Sequence, residues 1–120
     1  MALRRMKTYS GAQGFVYQYY FVGKRPALPD DPSAPATEYI FDVTSDRKTT
    51  YSVSIFLRDE DVASWAAAHS RTLNEAERYG AVKMRLFQAF DEIEDVMDHA
   101  RSLRLDPASL EQLLTTLGVQ

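Results

Sequence analysis

Cysteine is absent from all 120 residues. Its absence removes disulfides, thiol nucleophiles, thiolate zinc sites and iron–sulfur clusters, and it suits a reducing compartment. Long apolar runs are missing as well: none approaches the ~20 residues that a membrane-spanning helix needs. Residues 1–7 carry basic side chains but no apolar stretch follows them, so they do not read as a signal peptide, and the expected location is cytoplasmic. No Walker-type phosphate loop, no Gly-x-Gly-x-x-Gly turn and no Gly-x-Ser-x-Gly elbow is present. Gly11 and Gly14 therefore read as turn glycines. Proline is scarce outside one place: four of the five lie between residues 23 and 37, where they exclude both helix and ladder and impose a semi-rigid surface loop.

What is present suits one ordinary core. Leu, Ile, Val and Phe number 28, above the level of disordered chains, and the length fits a single α+β domain over residues 1–120. Residues 1–58 are β-rich and residues 59–120 helical. Residues 15–22 are dense in β-formers, with Phe15, Tyr17, Tyr19 and Phe21 alternating against Val16, Gln18, Tyr20 and Val22. Neither set is polar, so this strand is expected to be covered on both sides, by helices on one and a partner chain on the other. Residues 3–9 are its expected hairpin mate. Residues 38–44 and 50–57 form a second hairpin; Tyr39, Phe41, Val43, Tyr51, Val53, Ile55 and Leu57 face inward, and Glu38, Asp42, Ser52 and Ser54 face water.

The second half predicts helices over 60–68, 73–103 and 107–117. Thr72 and Glu75 have capping-box spacing. Along the long middle helix Leu86, Phe90, Ile93 and Met97 recur in steps of four and three, the seam that packs one helix along another. Some 28 helical residues would extend roughly 42 Å, longer than so small a domain is wide, so part of the helix should overhang and need a partner. The last helix has complete local signals: Asp106 as cap, Pro107 at the first position, Leu105 stapling to Leu110, and Gly118 as terminator. Strands followed by helices without alternation argue for α+β rather than parallel α/β. The expected fold is an antiparallel sheet of three to four strands packed against two to three helices, one of them long.

Several constellations are candidates for function. Asp91, Asp95 and His99 fall at i, i+4 and i+8, a spacing that would line three metal ligands along one helical face. Glu94 and Asp98 spread the acidity around that helix, and a solvated or salt-bridging face is the plainer account. No metal and no cofactor is expected. Net charge is +5 over residues 1–27, -5 over 28–61 and -3 over 62–120. On the long helix Arg78, Lys83 and Arg85 precede the acidic block and Arg101 and Arg104 follow it, a self-complementary order for an antiparallel pair.

Arg4, Arg5, Lys7, Lys24 and Arg25, beside Tyr17, Tyr19 and Tyr20, would serve phosphates and bases in a nucleic-acid reading. A sequence pI near 5.3 and the lack of any RNA-binding motif oppose it. Ser52 or Ser54, His69 and Asp42 can be named as a hydrolytic set, without any local motif that singles them out. The leading expectation is a non-enzymatic interaction or adaptor domain that forms a homodimer through helix 73–103. Nucleic-acid binding is the first alternative and small-ligand or metal binding the second.

Overall fold

The computed structural model describes residues 6–27, 35–93 and 95–120. Arg4, Arg5, Glu94 and most of the proline-rich loop lie outside them. The chain runs β1 (Lys7–Ser10), β2 (Val16–Pro26), β3 (Ala36–Thr44), β4 (Tyr51–Arg58), α1 (Asp59–His69), α2 (Glu75–Glu92), α3 (Val96–His99), β5 (Ser102–Arg104) and α4 (Pro107–Thr116). The strands form one sheet in sequence order, β1 to β4 antiparallel and β5 parallel to β4. The α+β class and the two hairpins are as expected. The strand count is not: the described residues form five strands, and one pair is parallel.

Alternation decides which side of the sheet is covered. Tyr17, Tyr19, Tyr39, Phe41, Val43, Tyr51, Val53, Ile55 and Leu57 all turn to the helices and are buried. The rings of Tyr17 and Phe90 stack at 4.1 Å, those of Tyr9 and Phe87 at 4.2 Å, and Phe21 meets Tyr79 at 4.8 Å. An aromatic layer thus cements β1 and β2 to α2, each pair adding ~0.5–1.5 kcal/mol beyond the area it removes from water. A bulge at Phe21–Gly23 in β2, where Gly23 holds φ 155°, lets the strand turn without breaking its pairing to β3.

The expected helix over 73–103 is interrupted. α2 ends at Glu92, Ile93 is extended, and Asp95 takes a left-handed conformation with φ 57° and caps α3 through the Asp98 amide. No proline or glycine forces the break. Asp91 and Glu92 crowd carboxylates onto a helix C-terminus that carries no basic residue in its last turn, where the dipole disfavours them. Turning also buries Val96, Ala100 and Leu103, which a straight helix would have carried away from the sheet. Leu103 then enters β5, fixed by Ser54 N–H donating to the Arg101 carbonyl at 2.9 Å and Leu105 N–H donating to the Phe56 carbonyl at 3.0 Å.

The α2 cap is also displaced from expectation. Asn74 and Glu77, not Thr72 and Glu75, exchange the two capping bonds at 2.8 and 3.0 Å, and Arg71 clamps the Glu77 carboxylate with both terminal nitrogens. At α4 the structure has the predicted Asp106 cap and Pro107 at the helix start.

Candidate functional site

Among the described residues, two surfaces are candidate sites. The first is the sheet face opposite the helices. Register places Gln18, Tyr20, Asp42 and Ser52 in neighbouring rows, with Ile40 beside Ser54 and Glu38 beside Phe56. Val16 and Val22 of β2 are 48% and 50% exposed, and Tyr20, Ile40 and Phe56 are half-buried between polar neighbours. Near its end at Pro26 and Arg58 the Glu38 carboxylate is buried, accepting from Ser54 Oγ at 2.6 Å and from Arg25 Nε at 2.9 Å. The Ser54 hydroxyl, then the Arg25 guanidinium, hold its carboxyl below the usual glutamate range. This face is firmly organised but not polar throughout.

The second is a cleft of about 430 Å³ between the ends of β3 and β4, α1 and the start of α2. Leu57, Val62, Ala63 and Ala66 make its apolar walls. Asp59, Tyr39 and Arg78 add polar groups to its lining, Tyr39 being buried. Arg78 Nη2 reaches Glu75 Oε1 at 2.8 Å, and Glu75 is shared with Lys24, which holds its carboxyl below the usual range. Arg78 Nε is buried without an acceptor among the described residues. Burial pushes the Tyr39 phenol above its ordinary value, and the nearby Glu75 carboxylate adds to the shift. The sequence signal for this cleft was faint: small residues at 63 and 66 leave room on the inner side of α1, and nothing local marks Arg78 as their companion.

Asp91, Asp95 and His99 do not share a helical face, because the break at 93–95 separates them. Asp91 instead accepts from Tyr9 Oη at 2.7 Å and from the Ala12 amide at 2.9 Å. Asp95 is a cap, and His99 ends α3. Among the described residues no three His, Asp or Glu side chains are gathered as metal ligands. Of the proposed seam, Leu86 and Phe90 are buried in the chain's own core, Ile93 is half-buried beyond the helix end, and Met97 lies exposed on α3. The flanking cations are also used within the chain: Arg85 Nε donates to the Arg104 carbonyl and Arg101 Nε to the Ser52 carbonyl, each at 3.1 Å.

The nucleic-acid set is similarly dispersed. Tyr17 and Tyr19 are buried under α2, Lys24 pairs with Glu75, and Arg25 pairs with Glu38; Lys7 and Tyr20 remain accessible in part. His69 contacts Glu111 at 2.8 Å and stacks on Trp65, on the helical side of the sheet, whereas Ser52, Ser54 and Asp42 belong to the other side. The hydrolytic set is thus not assembled. Among the described residues no helix is long and apolar enough to cross a membrane. No family model, curated protein or solved structure matches the chain.

Proposed function

We propose that this chain is a non-enzymatic, cytoplasmic interaction domain that pairs with a second copy through the sheet face opposite the helices. The supporting observation is that Val16, Val22, Tyr20, Ile40 and Phe56 are the apolar members of a face that no described helix covers. This replaces the helical seam as the contact, because Leu86 and Phe90 are already committed to the core. Strands 4.8 Å apart and some eight residues long give a face of roughly 500–600 Å² per copy, so a face-to-face pair would bury about 1,000–1,200 Å². That reaches the lower end of specific interfaces. Charges of both signs, Arg25 and Arg58 against Glu38 and Asp42, sit on the same face, so an isologous pair need not set like charges together.

Light scattering is expected to report roughly 27 kDa, twice the 13.6 kDa of one chain. Val16→Lys with Val22→Lys should halve that mass and leave the melting temperature nearly unchanged, since both side chains are half in water. A monomer of the unmodified protein at high concentration, or a dimer that survives both lysines, would overturn the reading.

A further inference from the structure

We propose that the cleft between α1 and the start of α2 is a binding site for a small amphipathic monocarboxylate, its head on Arg78 and its apolar body against Leu57, Val62 and Ala66. This is independent of the pairing face, which lies on the other side of the sheet.

The first support is shape. About 430 Å³ falls within the range of small-molecule sites, and at ~30 Å³ per heavy atom it accommodates a ligand of about a dozen. The space exists because α1 presents Val62, Ala63 and Ala66 toward Leu57 and Tyr39, and among the described residues no side chain fills it.

The second support is chemistry. Arg78 Nη2 is bound to Glu75, and its buried Nε has no acceptor among the described residues. A guanidinium offers its donors in a planar fork, and a carboxylate presents two oxygens at the spacing that fork accepts. A buried donor without a partner is unfavourable, so a ligand oxygen there gains more than it would at a solvated cation. Tyr39, whose phenol burial keeps protonated, is a buried part of the cleft's lining.

The third is charge. Among the described residues, Arg78 and Asp59 line the cleft, and Lys24 and Glu75 stand beside them. A monoanion is attracted by the Arg78 guanidinium. An ammonium head would meet the Arg78 guanidinium directly, like charge against like.

The test is a titration of the isotope-labelled full chain with octanoate, octanol and octylammonium, followed by amide NMR. Octanoate should give saturable shifts at residues 37–39, 57–66 and 72–78, with a Kd on the order of 1 mM or below. Octanol should bind at least ~10-fold more weakly and octylammonium not at all. Arg78→Gln should weaken octanoate by about 10-fold with little change in octanol, and Ala66→Phe should abolish both by filling the cleft. Should Ala66→Phe fail to fold, Ala63→Phe at the exposed rim serves the same purpose. Unsaturated or scattered shifts, equal binding of octanoate and octylammonium, or an Arg78→Gln variant that binds octanoate as before would overturn the proposal. The lysine variants at Val16 and Val22 should bind octanoate unchanged, which separates failure here from failure of the dimer.

Discussion

Asp91 ties the N-terminal hairpin to the end of α2 by accepting from both Tyr9 and the Ala12 amide. The turn it holds lies so close that a Cβ on Gly11 would come within 2.7 Å of the Phe90 carbonyl oxygen, so only glycine fits there. Asp91→Ala should therefore cost about 1–3 kcal/mol by chemical denaturation, since it leaves the Tyr9 hydroxyl and a backbone amide without their acceptor. The hydrogen bond to Asp91, aided by burial, pushes Tyr9 up to about 12. A phenol raised from its ordinary 10.0 contributes stability that is complete below pH 10 and lost as pH climbs through 10 toward about 12. In Asp91→Ala that alkaline loss should shrink, and ultraviolet titration should find one tyrosine ionising nearer its ordinary value. If the titration curve does not move, the bond has been misassigned.

Among the elements, the N-caps of α2 and α4 show how far local chemistry reaches. Asp106-Pro107 announces α4 unambiguously because cap, first-turn proline and staple all agree, and the helix starts there. At α2 two cap alternatives compete within four residues. Thr72 and Glu75 have the right spacing, but Asn74 and Glu77 win, because Arg71 reaches Glu77 from outside the helix and steadies the box. Asn74→Ala should lower stability by about 1 kcal/mol, and Thr72→Ala by less than half that. Equal effects in thermal melts would contradict the cap assignment. The strand β5 illustrates the opposite case. Three residues, Ser102–Arg104, form a ladder only because β4 offers an unpaired edge to them.

At the scale of the whole molecule, the sheet's inner face and α2 form one aromatic core. Phe90 is 1% exposed and stacked on Tyr17, so Phe90→Ala should cost about 3–5 kcal/mol of a total near 5–15. Phe90→Asp should unfold the chain rather than release monomers. Met97→Asp, at a side chain 39% exposed, should change stability by about 1 kcal/mol or less. A folded, monomeric Phe90→Asp variant in far-ultraviolet circular dichroism and light scattering would restore the helical seam as the contact. At 18 residues α2 is roughly 27 Å long, within even the 30 Å shorter extents of the molecule, so no helix among the described residues is long enough to require a partner by overhanging.

Much of this was determined by the sequence alone. Alternation over 15–22, 38–44 and 50–57 was enough to assign the inner face of the sheet, because a period of two admits only one face for Tyr17, Tyr39 and Val53. The α4 cap was equally readable, since its partners are neighbours in the chain. The tertiary structure decided the rest. It broke the helix at 93–95, where a heptad-like run is equally consistent with continuing straight or folding back, and burial of Val96, Ala100 and Leu103 against the sheet tipped the balance. It also separated Asp91, Asp95 and His99, and it set Arg78 beside Ala66 and Leu57. Helical spacing holds only while the helix does, and a cleft between elements distant in sequence leaves no periodic trace.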